Sequence, residues 1–306
     1  MVNDIFYCRG WHGWVNLYKP KGISSNKALC KLRKIIGNKS VKVGHAGTLD
    51  PLAHGVLPIG IGHATRLIEY VVDCTKKYEF TMQFGVSTDT EDIEGNVTKT
   101  EVVDFDVSML EVVSSKFTGS MNQVPPNFSA VKVNGKRAYA LARAGVQFSL
   151  SSRPVTIKDI RLLWYDNDLK QARYFVECSR GTYVRSLSKD IADFLGVCAT
   201  VIDITRISVG VFDSKSSISL SRFDSEKCDK ENLYQHLLPL GLVMGRIPKV
   251  LVTESQRCDL SFGRKVQLSD DVKDGTACAV YKGILVAVGR VADSNVFFPN
   301  KIFESS

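Results

Sequence analysis

No uninterrupted apolar run in this 306-residue chain reaches the ~18 residues of a membrane-spanning helix. The first residues, MVNDIFYCRGWHGW, lack a basic start followed by a long apolar stretch, so no secretory leader is expected. The eight cysteines (Cys8, Cys30, Cys74, Cys178, Cys198, Cys228, Cys258, Cys278) are scattered and never form C-x-x-C. That argues against a zinc ribbon and a disulfide framework, and for reduced thiols in a cytoplasmic protein. Neither a P-loop nor a dinucleotide glycine pattern is present, which removes the common nucleotide-binding classes. The acidic stretch Ser87 to Gly95 faintly resembles a calcium loop, but it has Glu94 where that loop needs glycine and Thr100 where it needs glutamate. His45, His54 and His63 recur without a standard zinc spacing, so no metal is expected. Internal repeats and low-complexity segments are missing too.

What is present describes an ordinary globular protein. Hydrophobic residues at 44% and charged residues at 24% are enough for a well-buried core, and the length suits two domains. The net charge of +8 is unevenly spread. Met1 to His45 holds nine Lys/Arg against Asp4 alone, and Ser120 to Arg161 seven against Asp159 alone. Glu79 to Glu111 reverses this, with nine acids against Lys99. Two basic blocks on an otherwise balanced chain point to a polyanion partner.

Local patterns predict a strand over Trp14–Tyr18. A helix capped by Ser24 or Ser25 follows, runs to about Ile36 and is ended by Gly37. Its apolar face is Ala28, Leu29, Leu32, Ile35 and Ile36, with Lys27, Lys31 and Lys34 on the other side. A short helix is expected near Thr65–Val72. Lys77–Gly85 alternates as a strand with Tyr78, Phe80, Met82 and Phe84 on one face. A strand near Asn96–Val103 and a helix near Val107–Lys116 come next. Val124–Ser152 is basic, rich in turn residues and holds one short helix near Tyr139–Ala144, which reads as an excursion from the core. Pro154–Tyr165 and Ala172–Ser179 form a predicted hairpin, Thr182 caps a helix to Leu195, and Val201–Val211 is a strand. Ser214–Pro248 reads as a helical connector. From about Val250 short strands and turns suggest a small β-barrel-like module. The irregular mixture favours an α+β fold with a largely antiparallel sheet.

The segment from Val43 to Arg66 holds one carboxylate, Asp50, among glycines and prolines (Gly44, Gly47, Pro51, Gly55, Pro58, Gly60, Gly62). On its own, Leu49-Asp50-Pro51 is either a turn in which Asp50 bonds its own backbone, or a loop presenting a nucleophile or general base. Tyr78 is either a core aromatic or a ring available to a ligand. Arg185 is either an ion-pair residue of the surface or structure, or a partner for a catalytic acid.

Read as G-H-x-G-x-L-D-P-x-A-x-G-x-L-P, the segment resembles the active-site motif of the TruB family of tRNA pseudouridine synthases. Five further motifs, all before about residue 210, continue the resemblance in order: Lys19-Pro20-x-Gly22-x-Ser24-Ser25, Lys77-Tyr78, Thr88-Asp89-Thr90-x-Asp92-x-x-Gly95, Ser129-Ala130-x-Lys132 with Gly135-Lys136, and Ser179-x-Gly181-Thr182-Tyr183-Val184-Arg185. The resemblance implies the pseudouridine synthase fold over residues 1–247, with an RNA-gripping insertion at about 124–152. Residues 248–306 are similar to a PUA-like RNA-binding domain, and no individual residues carry over there.

The resemblance implies Asp50 as the nucleophile, Tyr78 packed on the target base and assisting proton removal from C5, and Arg185 paired with Asp50. It further implies His45 against the RNA, Tyr183 and Ile207 lining the pocket, and Lys19 and Lys132 near pocket or RNA. The implied substrate is uridine 55 in the T-arm stem-loop of tRNA, turned over by a cytoplasmic monomer without obligate protein partner, cofactor or metal. His54 stands where relatives carry a small or hydroxyl residue (D-P-x-A-S/T-G), and Ile207 where they have leucine. Two rival readings remain: a non-catalytic RNA-binding protein on the same scaffold, and the guide-RNA-dependent relative that modifies ribosomal RNA.

Overall fold

The computed structural model describes residues 10–223, 230–269 and 271–303. Cys8, Cys228 and the Asp4 and Arg9 charges lie outside the described residues. Strand β1 (Gly13–Lys19) leads into helix α1 (Ser25–Ile36). Ser24 is the cap, its Oγ accepting from Lys27 N at 3.1 Å, and Gly37 stops the helix in the left-handed region at φ 63°. β2 (Val43–His45) and β3 (His54–Ile61) flank the Asp50 loop. The expected Thr65–Val72 helix is a 3₁₀ turn, Gly62–Leu67, continued by α2 (Ile68–Val72).

β4 (Lys76–Phe84) alternates as predicted, with Tyr78, Phe80, Met82 and Phe84 all buried. Then come β5 (Val86–Thr88), β6 (Val97–Thr100), α3 (Met109–Phe117) and β7 (Gly119–Gln123). The excursion folds as a hairpin of β8 (Lys132–Val133) and β9 (Lys136–Arg137) followed by α4 (Ala138–Arg143). β10 (Arg153–Asp166) and β11 (Gln171–Cys178) form the predicted hairpin.

Helix α5 (Val184–Leu195) is not capped by Thr182. The Thr182 hydroxyl donates to Ser179 O at 3.1 Å and closes the turn before the helix, so Tyr183 takes the cap position without a side-chain bond. β12 (Ala199–Val209) follows. The expected helical connector is only partly helical. It begins with β13 (Phe212–Asp213) and β14 (Ile218–Ser219), and the latter pairs parallel with β1; α6 (Lys230–Gln235) comes afterwards.

Ten strands make one sheet in the order β14-β1-β3-β12-β4-β11-β10-β7, with β13 added to β12 and β2 to β3. Only β14–β1 and β12–β3 pair parallel, so the mixed, largely antiparallel sheet of an α+β fold is what forms. Helices α1, α3 and α5 bury their apolar stripes in one core with the β4 and β11 side chains. Each fully buried Leu or Phe there contributes roughly 2 kcal/mol.

The opposite face of the sheet is a polar network. Arg173 donates to Glu79 (3.0 Å), Thr81 (2.9 Å) and Asp203 (3.1 Å). Lys21 donates to Asp203 at 3.2 Å, and His54 Nε2 lies 3.3 Å from the same carboxylate. With the His54 proton on Nε2, Nδ1 accepts from the Tyr18 hydroxyl at 2.8 Å. His54 thus fills its unusual position by tying β1, β3 and β12 together. The His54 bond, with help from Lys21 and Arg173, holds the Asp203 carboxyl well below the usual carboxylate range against the effect of burial.

The C-terminal residues form a curled five-strand sheet, β15 (Lys249–Leu251), β16 (Val266–Gln267), β17 (Gly275–Tyr281), β18 (Ile284–Ala292) and β19 (Val296–Ile302), in the order β15-β17-β18-β19-β16. Helix α7 (Glu254–Ser261) opens with a Thr253/Gln256 capping box. A second apolar cluster joins the two sheets: Trp14, Phe212 and Leu67 pack with Cys278, Val288 and Phe303. No helix among the described residues is long and apolar enough to cross a membrane.

Candidate active site

The Asp50 loop is fixed from several sides. Because Ser24 caps α1, Ser25 is free to face the loop. Its Oγ accepts from Leu49 N at 2.7 Å and donates to Leu49 O at 2.8 Å, pinning both backbone groups of the residue before Asp50. Gly22 N donates to Pro51 O at 2.8 Å, and Ala53 N to Asp50 O at 3.1 Å. Arg206, 1% exposed, joins the two stems: Nε donates to Val56 O (2.7 Å), Nη2 to Gly47 O (3.0 Å) and Nη1 to Thr48 O (3.3 Å). Gly55 is required beside it, because φ is 107° and a Cβ would lie 2.3 Å from Arg206 O.

Asp50 presents its carboxylate to a cavity of about 910 Å³ with its side chain 39% exposed. Oδ2 lies 2.9 Å from Nη2 of Arg185, whose side chain is only 4% exposed. The guanidinium is held independently of Asp50. Nη1 donates to Thr90 O at 2.8 Å, Nη2 to Phe128 O at 3.0 Å, and Nε lies 3.6 Å from Asp92 Oδ2. Asp92 is buried and accepts from Thr90 Oγ1 (2.7 Å) and Glu94 N (3.0 Å). The acidic turn after β5 is therefore an arginine holder.

Tyr78, 7% exposed, lines the cavity from β4, directly across from Arg206 on β12. Burial raises its phenol pKa, and the Arg206 charge opposes that rise. Tyr183 lines the other wall, its backbone N and O both bonded by the Gln123 side chain (2.8 and 3.2 Å). Burial raises its pKa as well. Lys76 also lines the cavity. Its Nζ donates to Val72 O and Cys74 O (2.6 and 2.7 Å), and burial lowers its pKa to about 8.

Asp50, Tyr78, Tyr183 and Arg185 thus converge on one cavity, and the other four expected residues do not line it. Lys19 is fully buried behind the loop, donating to Pro20 O (2.9 Å), Ile23 O (2.7 Å) and Pro51 O (3.4 Å), with burial lowering its pKa to about 8. It supports the loop from behind Pro51, which lines the cavity, and so lies near the pocket without lining it. Lys132 is exposed on the β8–β9 hairpin and does not line the cavity. Half-buried His45 lies outside the lining on β2, with its Nδ1 buried and unbonded; burial, then Arg206, lowers its pKa. Ile207 does not line the cavity, and Ile204 does. Ile207 is one residue out of phase with Ile204 and Arg206, which both line the cavity, and it lies at the irregularity between Arg206 and Ser208. Arg206 and Ile204 were the residues invisible in the sequence.

Residues 33–184 match the family model described as "TruB family pseudouridylate synthase (N terminal domain)". The chain is 38% identical over 292 residues to tRNA pseudouridine synthase B of Rickettsia bellii (strain OSU 85-389), covering 95% of this chain and 97% of that one.

The chain belongs to the TruB family of pseudouridine synthases.

A second relative in that family, tRNA pseudouridine synthase B of Ehrlichia chaffeensis (strain Arkansas), is 40% identical over 303 residues, covering 95% of this chain and 99% of that one. In fold, the TruB-family chain is similar to a chain of the crystal structure of a Cbf5-Nop10-Gar1 complex, with TM-score 0.72, 24% identity, and coverage of 96% of this chain and 85% of that one. A chain from the structure of an H/ACA RNP bound to a substrate RNA containing 2′-deoxyuridine gives TM-score 0.70 at 21% identity, covering 99% and 92%.

Proposed function

We propose that this protein isomerises uridine 55 in the T-loop of tRNA to pseudouridine, with Asp50 as nucleophile. The observation that carries the reading is the Asp50–Arg185 pair at 2.9 Å, open to a cavity lined by the Tyr78 ring. The relatives' name, tRNA pseudouridine synthase B, supports tRNA as the substrate.

A uridine buried in a stem-loop must leave its stack to reach this carboxylate, and an aromatic ring replaces part of the stacking it loses. Asp50 then attacks C1′ or C6, the N1–C1′ bond breaks, the base turns, C5 bonds to C1′, and the bond from Asp50 to the substrate breaks to return the free carboxylate. C5 gives up its proton and N1 gains one, so the product is an isomer and no redox partner or group donor is needed. Tyr78 is placed to assist the C5 proton, and Arg185 orients the carboxylate.

The proposed division is a catalytic unit at residues 1–247, with the gripping insertion at about 124–152, and a PUA-like RNA-binding unit at 248–306. Supporting the second unit, Arg264 lies over the exposed Phe262 ring, Lys265 over Phe298, and Lys282 over Tyr281. Such cation and ring pairs suit phosphates and unstacked bases.

The test is base-resolved pseudouridine mapping of an unmodified tRNA transcript incubated with the purified chain alone, beside Asp50→Asn. Conversion at uridine 55, absent with the variant at equal tRNA affinity, is the expected result. Wild-type conversion rates in Asp50→Asn would eliminate the nucleophile assignment. Tight tRNA binding without conversion by the parent would favour a binding-only protein or a guide-dependent enzyme.

A further inference from the structure

A second cavity, of about 730 Å³, opens between the end of α1, the loop to β2, and the 3₁₀ turn after β3. Arg33, Lys34, Lys39 and Lys42 line it, and no acid does. Lys230 of α6 adds a further cation, since a Cβ on Gly37 would lie 3.5 Å from its Nζ. Arg33 Nη2 donates to Val43 O at 2.8 Å and is partly structural. Lys34, Lys39 and Lys42 are exposed, and among the described residues none of their ammonium groups has a hydrogen bond or ion pair. Cations in the last turn offset a helix dipole, which accounts for Arg33 and Lys34. It does not account for Lys39 and Lys42, which lie beyond the helix on the same concave wall. Like charges gathered well within a Debye length repel, and an anion seated among them relieves that repulsion.

The cavity is distinct from the Asp50 site and shares no lining residue with it. β2 and β3 set the spacing. Val43 at the cavity pairs with Ile61, whereas the foot of the Asp50 loop is tied at Val56 through Arg206. Five strand residues separate those positions, about 17 Å at 3.3 Å each. That span is several times the length of one nucleotide repeat, so a nucleotide bound at Asp50 cannot itself fill the second cavity. No aromatic ring lines the cavity. Its chemistry therefore suits phosphodiester oxygens and positions RNA without reading bases.

We propose that this cavity binds backbone phosphates of the substrate RNA several nucleotides away from the target uridine. The proposal rests on the reading of the protein as acting on a folded RNA. It gives that RNA a further contact region, beside the Asp50 cavity, the insertion and the C-terminal unit.

The test compares the full chain with Lys34→Gln/Lys39→Gln/Lys42→Gln by equilibrium titration across a salt series. Two RNAs are used: a full-length tRNA transcript and an isolated stem-loop trimmed too short to span both cavities. For the long RNA, the variant is expected to lose roughly tenfold or more in affinity near physiological salt. Its slope of log K against log salt should flatten by about 2 to 3. The short stem-loop should bind both proteins alike, and turnover at saturating RNA should match. Equal losses on both RNAs, or none on either, would overturn the assignment. Inorganic phosphate alone is titrated in parallel. Phosphate binding abolished by the substitutions, with tRNA affinity unchanged, would assign the cavity to a small anion instead. The affinity comparison reads this cavity even if neither RNA is converted, in which case it is the proposed reaction that fails.

Discussion

Arg206 is the residue on which the Asp50 loop should depend most. Its guanidinium is 1% exposed and reaches three carbonyls, two on the entering stem of the loop and one on the leaving stem, at 2.7 to 3.3 Å. In Arg206→Met the three carbonyls lose charged donors, each worth about 1.5 to 3 kcal/mol. Removing the buried charge returns part of that, because among the described residues no carboxylate forms an ion pair with this guanidinium and its desolvation is compensated by neutral groups. A net loss of about 3 kcal/mol is expected, read as a lower urea midpoint at unchanged m. The effect on turnover should be larger than a general loosening would give. Both loop stems are released together, and a shift of about 1 Å at a reacting group reduces rate about 100-fold. Arg206→Lys keeps the charge, but its single ammonium cannot span both stems, so it should recover stability better than turnover. Single-turnover conversion at saturating tRNA is the assay, with binding measured separately. A folded Arg206→Met that turns over within a few-fold of the parent would refute the clamp.

Arg185→Lys should keep tRNA affinity within a few-fold while lowering single-turnover rate by about 100-fold, because an ammonium cannot hold Asp50, Asp92 and two carbonyls at once. Asp203→Asn should destabilise the protein near neutrality. The depressed Asp203 pKa means that its contribution is present above the unfolded value of about 4 and lost as pH falls toward the folded value. The gap between parent and variant in denaturant midpoint should therefore shrink below about pH 4, and a gap that does not change with pH would contradict the network. Neutralising Lys132, Lys136, Arg137 and Arg143 together should weaken tRNA binding and flatten its log–log salt slope by about 3. An unchanged slope would remove the insertion from the contact set.

Features governed by neighbours in sequence were legible in it. Ser24 and Gly37 delimit α1, and the period-2 pattern of β4 correctly buries Tyr78, Phe80, Met82 and Phe84. The Asp50 loop was legible because its chemistry lies in one continuous motif. Arg206 was not, since its three acceptors lie about 150 residues earlier and only the parallel β3–β12 pairing brings them together. Ile207 was expected from the resemblance alone; it lies at the Arg206/Ser208 bulge, and Ile204, in phase with Arg206, lines the cavity instead. Lys19 shows the same limit differently. The resemblance puts it near pocket or RNA, but only the fold shows that it is enclosed behind the loop to serve three carbonyls.

The placing of two carboxylates on one guanidinium has a mechanistic consequence. In the proposed reaction Asp50 loses its negative charge when it bonds to the substrate. Were Asp50 the sole partner of Arg185, that step would leave a buried, unpaired cation, a state that is strongly unfavourable. Asp92 stays beside Nε throughout, and the carbonyls of Thr90 and Phe128 keep their bonds to the other nitrogens. The guanidinium therefore remains compensated and stationary while Asp50 changes charge, and it is in place to receive the carboxylate again on product release. Phe128 belongs to the basic insertion, so the segment proposed to grip RNA also supplies one of the bonds that aim Arg185. Disturbing the insertion's backbone at Phe128 should thus affect turnover as well as binding, whereas charge substitutions on its outer hairpin should affect binding alone.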